Sequence, residues 1–266
     1  MKTTEARVIT NIGGRNYEIQ DDRIQFLDTR FYKCPDGSFV PSVTTVLNAY
    51  PKSPEFYDWL KKHGEDADTI RDEAGRRGSV VHNLTERYDY GEEVNLMSDG
   101  GDALYQLREW KMFERYVDFR ERHPADIHAI ELNMVSGELG YAGTLDRVLT
   151  IGDKTYLMDI KTSGAIHDTY WMQQAAYINL LRRTGTKARL FNNALHPIEP
   201  AILWLNASTR TYRDGIIQGP GWQFLTATKP TEELLKMFEN VHQMWTYANG
   251  NLKPQLTTYK LTHKRK

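Results

Sequence analysis

Cysteine, long apolar runs and charge of one dominant sign are all scarce in this sequence. The single cysteine among 266 residues, Cys34, excludes an internal disulfide, a multi-cysteine zinc site and a protein-ligated iron–sulfur cluster, because each needs several thiolates. No stretch approaches the roughly 20 consecutive apolar residues of a membrane span. Residues 1–10 resemble neither a secretory signal nor a transit peptide. We therefore expect a soluble cytoplasmic protein in which Cys34 is structural.

The balance of charge leaves no strong overall field. Lysine and arginine total 34, against 35 aspartates and glutamates. No global positive potential would attract nucleic acid, so any contact with DNA must be local. The hydrophobic fraction of 40% and the charged fraction of 26% are those of an ordinary globular protein with one large core.

The chain contains no internal repeat and no low-complexity block. We expect a single domain over residues 1–250, followed by a polar basic tail at 251–266. Within the domain, short β-like segments predict an appendage at 1–40, helical signals dominate 41–126, and an α/β core occupies 127–248.

Helix and strand signals predict a specific order of elements. Ser53 and Gly64 fit the cap and the stop of one helix, and Gly91 ends a longer one. The later order of helix, three strands, helix and strand predicts an α/β layer with a mixed sheet. The predicted helices are 54–63, 66–90, 102–122, 168–183 and 231–248, and the predicted core strands are 127–135, 141–151, 155–162, 201–207 and 212–218.

The Gly-Asp pair at 152–153 predicts a two-residue hairpin turn, because glycine suits the positive φ of a type II′ turn. If Ile151 lies opposite Lys154, the same register places Asp146 directly opposite Asp159. Side chains alternate between the faces of a strand, so both faces can be predicted. One face should carry Thr144, Asp146, Val148, Leu157, Asp159 and Lys161, and the other should bury Leu145, Leu149, Ile151, Tyr156, Met158 and Ile160, with Arg147 as its exception.

Asp146 and Asp159 are expected to need a cation between them. Directly opposed side chains have Cβ atoms roughly 5 Å apart, where two carboxylates destabilise the sheet. Hard oxygen ligands favour Mg²⁺ or Mn²⁺, which can polarise a phosphoryl oxygen and deprotonate a bound water. Lys161 on the same face would orient that nucleophile or offset developing charge. The alternative interpretation is that all three residues are solvated on an exposed face.

Two further residues could reach the same site. Glu131 on the preceding strand would supply a third acid, and an exposed strand carboxylate is its simpler interpretation. His82 shares a helix face with Gly78, four residues earlier, and could offer a neutral imidazole to a metal. Glycine within a helix costs roughly 1 kcal/mol relative to alanine, which indicates close approach of another group. A core or surface histidine is the simpler interpretation of His82.

Four residues are candidates for contacts with DNA. Gln173 and Tyr177 share one helix face and could hydrogen-bond a phosphate or a base, although packing beside the sheet explains them equally well. Arg76 and Arg77 precede His82 on the long helix and could contact phosphates. A solvated helix face is the alternative for at least one of these arginines.

In their order along the chain, these residues resemble the RecB-like branch of the PD-(D/E)xK nuclease superfamily. The resemblance covers about residues 78–177, and its parts are weak alone but specific as an ordered set. Segment 41–77 extends it, because this part is similar to the mitochondrial genome maintenance exonuclease and to phage-encoded exonucleases. The parts are GxxxH at Gly78 and His82, the acid Glu131, GxxD from Gly143 to Asp146, DxKT from Asp159 to Thr162, and QxxxY at Gln173 and Tyr177.

This resemblance implies a fold, a reaction and a set of residue roles. It implies an αβββαβ core that hydrolyses phosphodiester bonds with one or two ions of Mg²⁺ or Mn²⁺. The iron–sulfur cluster of several relatives needs four cysteines, which this chain lacks, and any unwinding would need a partner because no helicase motif is present. The metal ligands would be His82, Asp146, Asp159 and the Ile160 carbonyl, Lys161 would be the catalytic lysine, Glu131 would assist at the site, and Gln173 and Tyr177 would position DNA.

We therefore expect a metal-dependent DNA exonuclease that acts on single strands or duplex ends. It would be phage-encoded or bacterial, would serve recombination, replication or genome processing in the cytoplasm, and would have a single-strand-binding or recombination protein as a candidate partner. An endonuclease of the same superfamily and a catalytically silent DNA-binding protein are the alternatives. Intact Asp146, Asp159 and Lys161 argue against the silent protein, since a binding module has no need of opposed carboxylates.

Overall fold

The structure is a computed structural model that describes residues 8–12, 15–18, 23–26, 29–186, 190, 197–250 and 254–258. Its helices are α1 (Val43–Leu47), α2 (Pro54–His63), α3 (Asp66–Asp89), α4 (Leu107–Arg122), α5 (Asp168–Arg183) and α6 (Thr231–Asn249). Its strands are β1 (Val8–Ile12), β2 (Arg15–Glu18), β3 (Arg23–Phe26), β4 (Thr29–Lys33), β5 (Phe39–Pro41), β6 (Asp126–Ser136), β7 (Tyr141–Ile151), β8 (Lys154–Lys161), β9 (Ile198–Trp204), β10 (Gln218–Gly219), β11 (Trp222–Thr226) and β12 (Gln255–Thr258).

A six-stranded mixed sheet forms the centre of the protein. Its strands lie in the order β10-β11-β9-β8-β7-β6, and β8 pairs with β9 in parallel while the other pairings are antiparallel. The elements α4, β6, β7, β8, α5 and β9 follow one another along the chain. The predicted order of helix, three strands, helix and strand is therefore confirmed, as is an α/β fold with helices beside a mixed sheet.

The two faces of this sheet bury separate apolar cores, because neighbouring residues of β8 point in opposite directions. Leu157 packs with residues of α1, α5 and α6, whereas Met158 packs with residues of α3 and α4. A strand buried on both faces needs apolar residues at successive positions, and β8 has them. The first core includes Val46, Met172, Ala176, Phe238 and Val241. The second core includes Val81, Met112, Tyr116, Phe119 and Trp222.

Local cap signals predicted several helices closely. The helix α2 starts with Pro54 after the cap residue Ser53 and ends at His63, and its C-cap is Gly64, whose φ is +52°. The predicted helix 66–90 ends one residue earlier in the structure, with Tyr90 as its C-cap. The predicted helix 168–183 matches α5 at both ends.

The start of α4 was predicted five residues too early. The structure begins this helix at Leu107, after a cap in which the Gln106 N–H donates to the Glu109 carboxylate at 2.8 Å. Residues 98–102 instead form a turn, in which the Ser98 N–H donates to the Asp102 carbonyl at 2.8 Å. The capping interaction, rather than the acidic residues before it, sets the start of the helix.

The prediction of a strand at 212–218 is wrong. Most of this segment is irregular, and Tyr212 and Ile216 are exposed, because their alternation does not face a core. The strand lies later, at β11, where Trp222 is fully buried and its indole N–H donates to Asp118 of α4 at 2.7 Å. The hydroxyl of Thr209 holds the intervening loop by donating to the Gly219 carbonyl at 2.7 Å.

The N-terminal β segments form two small sheets apart from the central one. Strands β3, β4 and β5 form one three-stranded sheet, and β1 pairs with β2 and with β12 in the other. Segment 255–258 of the predicted polar tail is therefore a strand, whereas residues 251–253 and 259–266 lie outside the described residues. Cys34 is buried and free beside this region, in a cluster with Tyr32, Val40 and Ala142.

Within the part of the chain that the structure describes, no helix has the length and apolar character needed to cross a bilayer.

Candidate metal centre and active site

The hairpin of β7 and β8 has the predicted register, but its regular pairing stops at the functional residues. Ile151 pairs with Lys154, and the ladder continues to Arg147 opposite Met158. Beyond that pair, the Asp146 carboxylate accepts the backbone N–H of Ile160 at 2.7 Å. The Asp146 side chain thus replaces a main-chain acceptor of β7 for the Ile160 N–H of β8, at the point where the two strands separate.

The prediction of strict alternation along β7 is wrong at this point. Leu145, expected on the face of Leu149, packs instead in the core of Val148 and Leu157. Thr144, expected beside Asp146, turns to Tyr32, with 3.0 Å between the two hydroxyl oxygens. The change of face occurs at Asp146, whose carboxylate accepts the Ile160 N–H of β8. A local irregularity of this kind in a strand redirects the side chains that follow it.

The neighbouring strand β6 carries a matching irregularity at Glu131. The pairs Ile130 with Arg147 and Leu132 with Leu145 flank Glu131 and Asp146, so these two acids lie at the same level of the sheet. Glu131 has a φ of +43°, a left-handed conformation that a non-glycine residue rarely adopts. Such backbone strain concentrates at functional sites.

Glu131, Asp146 and His82 form a compact cluster, which we call the triad. The His82 Nδ1 atom lies 3.5 Å from Glu131 Oε1 and 3.6 Å from Asp146 Oδ2. One ligand atom from each residue lies within 4.8 Å of the others, so a single ion could contact all three. The triad brings together one residue from each of α3, β6 and β7.

The helix α3 presents His82 to the open end of the hairpin. The His82 Nε2 atom lies 3.0 Å from the Ile160 carbonyl oxygen, the main-chain group expected to ligate a metal. One turn earlier, a Cβ atom on Gly78 would lie 3.4 Å from Thr162 Oγ1. Gly78 therefore lies where α3 meets the end of β8, as the GxxxH spacing indicates.

Buried negative charge shifts the pKa of His82. Burial lowers this pKa, but Asp146, Glu131 and Asp159 together raise it to about 9. The imidazole is therefore protonated at neutral pH when no other cation is present.

Asp159 and Lys161 form an ion pair next to the triad. The Lys161 Nζ atom lies 2.5 Å from Asp159 Oδ2. Burial raises the pKa of Asp159 to about 6, with Asp146 adding to the increase and Lys161 opposing it. The pKa of Lys161 is raised because Asp159 and Asp146 outweigh the effect of its burial. Asp159, one of the predicted metal ligands, is thus bound to the predicted catalytic lysine and lies next to the triad.

The helix α5 holds the Lys161 ammonium in place. Lys161 donates to Gln173 Oε1 at 3.1 Å and lies 4.4 Å from the ring centroid of Tyr170. Gln173 in turn donates to the Tyr177 hydroxyl at 3.0 Å. Gln173 and Tyr177 are both buried, with exposed fractions of 7% and 4%. Their direct contact in the structure is therefore with Lys161 and each other, and a contact with DNA stays a prediction.

Gly143 of the GxxD motif has a steric role. A Cβ atom at this position would lie 2.4 Å from Cε1 of Tyr177, far inside van der Waals contact. Only glycine lets α5 approach β7 this closely without a shift of the Tyr177 ring.

The two arginines predicted to contact DNA have different surroundings. Arg76 is bound by carboxylates, with its Nη2 atom 2.9 Å from Glu73 and 2.7 Å from Glu109. Arg77 has a buried Nε atom without a hydrogen-bond partner among the described residues. Burial and the nearby Arg108 lower the pKa of Arg77. Arg77 is thus the less compensated of the two charges.

Three residues of the site were not predicted from the sequence. Arg147 and Asp89 are fully buried and join the triad to the core, and Tyr170 contacts Lys161. The signal for Arg147 was its charge within an otherwise apolar strand face. Asp89 and Tyr170 gave no sequence signal, since their contacts depend on how helices pack against the sheet.

The donors of the triad could hold a metal ion. They are two carboxylates and an imidazole, a mixed set of oxygen and nitrogen ligands. The Ile160 carbonyl oxygen lies near the other ring nitrogen, 3.0 Å from His82 Nε2. Asp146, Glu131 and Asp159 together raise the pKa of His82, whereas burial is the main cause of the raised pKa of Asp159. A bound cation would offset the negative charge of these acids without the His82 proton.

Neither a scan against protein-family models nor a search of curated proteins finds a match to this chain.

Proposed function

We propose that this protein is a metal-dependent DNA exonuclease with a PD-(D/E)xK core, acting on single strands or DNA ends. The observation that carries the proposal is the meeting of His82, Glu131 and Asp146 next to the ion-paired Asp159 and Lys161. Each of these residues belongs to the ordered set of motifs that resembles the RecB-like nucleases. The resemblance supports the choice of exonuclease, and a cytoplasmic role in recombination, replication or genome processing belongs to the same proposal.

The triad would hold Mg²⁺ or Mn²⁺ through His82 Nδ1 and the two carboxylates, with Asp159 as a further candidate ligand. The Ile160 carbonyl, 3.0 Å from His82 Nε2, would orient the imidazole ring. When bound, such an ion polarises a phosphoryl oxygen and lowers the pKa of a coordinated water. His82 must lose its proton before it can ligate a metal, since its pKa in the metal-free site is about 9.

Lys161 would offset the negative charge that develops on the phosphate. Its ammonium stays charged, because Asp159 and Asp146 raise its pKa. Gln173 and Tyr170 limit its movement, so little reorganisation would be needed during the reaction. Through this contact, Gln173 and Tyr177 would position the lysine as well as any DNA that enters the site.

The test is release of nucleotides from end-labelled single-stranded and double-stranded DNA with Mg²⁺ or Mn²⁺. We expect Asp159→Asn to reduce the rate at least a hundredfold, because the substitution removes the charge that pairs with Lys161. A matched control is Asp153→Asn, an exposed aspartate at the other end of the same hairpin, which should keep the wild-type rate. Equal rates for wild type and Asp159→Asn would refute the proposed site.

Two measurements separate the proposal from its alternatives. Covalently closed single-stranded circles should survive an exonuclease, whereas an endonuclease would cut them. Calorimetric titration with Mn²⁺ distinguishes a silent DNA-binding protein, which would bind DNA but not the metal.

A further inference from the structure

Arg147 is the buried cation behind the triad. Its side chain has no exposed surface, although it belongs to a strand that also carries the exposed turn of the hairpin. The Arg147 guanidinium donates to Asp89 Oδ2 at 2.7 Å and to the Asp146 carbonyl at 2.7 Å. It also donates to Glu131 Oε1 and to Thr85 Oγ1, each at 3.3 Å. Four of its hydrogen bonds therefore reach four different residues.

These contacts join all three elements that carry the triad. The bond to Glu131 reaches β6, and the bond to the Asp146 carbonyl fixes the residue of β7 that changes face. On α3, the Thr85 hydroxyl accepts a hydrogen bond from Arg147 and donates one to the His82 carbonyl at 2.8 Å. One side chain thus touches Glu131 directly, Asp146 through its main chain, and His82 through Thr85.

Asp89 anchors this guanidinium from the other side. Its carboxylate is also fully buried, and it accepts from Arg120 at 2.6 Å and from the Tyr116 hydroxyl. Arg120 contacts Asp89, Tyr116 and the Ala125 carbonyl, none of which belongs to the triad. Arg147 and Arg120 therefore share one anchor but differ in what else they hold.

Stability alone does not account for Arg147. Replacing a buried ion pair with apolar residues of similar volume is often neutral or stabilising, so a buried pair is weak support for a role in stability. An apolar side chain at 147 could not bind the Glu131 carboxylate or the Thr85 hydroxyl. Glu131 is also the non-glycine residue of positive φ in the described chain, a conformation that needs support from its surroundings.

We propose that Arg147 is a positioning residue that sets the relative placement of His82, Glu131 and Asp146 for metal binding. This inference rests on the proposed metal centre and adds the group that assembles it. Partners of metal ligands commonly change metal affinity 10- to 100-fold when they are removed.

The experiment compares Arg147→Lys with Arg120→Lys in the full chain. Each variant keeps the positive charge near Asp89 and loses the planar set of donors. We expect Arg147→Lys to weaken Mn²⁺ binding at least about tenfold by isothermal titration calorimetry. The Arg120→Lys variant should stay within about twofold of wild type, and urea unfolding of both variants measures any loss of stability that they share.

The outcomes separate this inference from the proposed function. Wild-type Mn²⁺ affinity in a folded Arg147→Lys variant, or equal losses in both variants, would overturn the inference and leave the metal centre intact. Failure of the wild-type protein to bind Mn²⁺ would overturn both. If Arg147→Lys does not fold, Thr85→Val provides the test, because it removes the link from Arg147 to the His82 carbonyl with little change of volume. Unchanged Mn²⁺ binding in Thr85→Val would then overturn the inference.

Discussion

At the scale of single residues, the protonation of the His82 imidazole depends on three nearby acids, Glu131, Asp146 and Asp159. The pKa of about 9 for His82 and of about 6 for Asp159 both reflect carboxylates held close together in a poorly solvated place. At neutral pH the metal-free site therefore contains the His82 imidazolium and the Lys161 ammonium, next to the Arg147 guanidinium that donates to Glu131. A divalent metal would replace the His82 proton, so metal binding and protonation compete for the same acids.

Gly143→Ala should disturb the site without changing its charge. The added methyl group would lie 2.4 Å from Cε1 of Tyr177, and Tyr177 accepts the hydrogen bond from Gln173 that leads to Lys161. We expect a loss of about 1–3 kcal/mol in the free energy of unfolding, as for other cases of overpacking. Nuclease activity should also fall, because a shifted Tyr177 ring displaces Gln173. Urea unfolding and the end-label assay measure the two effects.

A second glycine and a double variant control this prediction. Gly164→Ala should be nearly neutral, since no atom lies within 4 Å of a Cβ at that position. In a Tyr177→Ala background the added methyl group of Gly143→Ala has space, and its cost should shrink. Strictly additive losses in the double variant would contradict the steric explanation.

Arg77 and Arg76 should contribute differently to DNA binding. Arg76 is compensated by Glu73 and Glu109, whereas Arg77 is not ion-paired in the described residues. We expect Arg77→Gln to weaken binding of single-stranded DNA and to reduce the slope of log affinity against log salt by about 1. Arg76→Gln should leave that slope nearly unchanged. Fluorescence anisotropy over a salt series, in an Asp159→Asn background that prevents digestion, measures both.

The same slope for Arg77→Gln and wild type would show that Arg77 does not contact a phosphate. A loss of slope in Arg76→Gln equal to that in Arg77→Gln would show that the ion pairs of Arg76 open when DNA binds.

At the scale of secondary structure elements, local signals predicted the hairpin and failed at the site itself. The turn at 152–153 set the register of five residue pairs down to Arg147 and Met158. The break that follows depends on a bond between the Asp146 side chain and the Ile160 backbone. Periodicity describes regular strands, so it placed Leu145 on the wrong face where the strand is irregular.

The helices show the same division between local and nonlocal causes. The cap residues Ser53 and Gly64 set the two ends of α2, and both can be recognised from the sequence alone. The late start of α4 depends on Gln106 as its cap, a residue less typical of caps than serine or aspartate. Strand β11 was missed because Trp222 is buried by Phe119 of α4, a contact of two distant segments.

At the scale of the whole molecule, the site is an assembly of distant segments. His82 and Ile160 are separated by 78 positions in the sequence, yet their atoms lie 3.0 Å apart. Spacing within α3 cannot show which strand the helix will face. The expectation that His82 joins the acids came from the ordered motif resemblance, whereas the role of Arg147 became visible only when α3, β6 and β7 were packed together.

Because the site assembles α3, β6, β7 and β8, its occupancy should set the stability of the whole protein. The folded pKa of His82 is raised from 6.5 to about 9, so its stabilising contribution is complete below pH 6.5 and is lost as pH rises through 9. Asp159 contributes in the same direction at lower pH, since its pKa is raised from 3.8 to about 6. His82 and Asp159 should therefore lower the melting temperature of the metal-free protein as pH increases.

Metal should reverse this trend, because it binds the deprotonated imidazole. We expect the increase in melting temperature caused by Mg²⁺ to be larger at pH 8.5 than at pH 6, with a stabilisation of about 2.7 kcal/mol when the free metal is 100 times its dissociation constant. Differential scanning calorimetry with Mg²⁺ or with EDTA measures this difference. His82→Gln supplies the control, since it removes the titrating group: the dependence of the metal effect on pH should flatten between pH 6.5 and 9. A Mg²⁺ effect of the same size at both pH values in the wild-type protein would mean that the metal does not displace the His82 proton, and the triad would then not be the binding site.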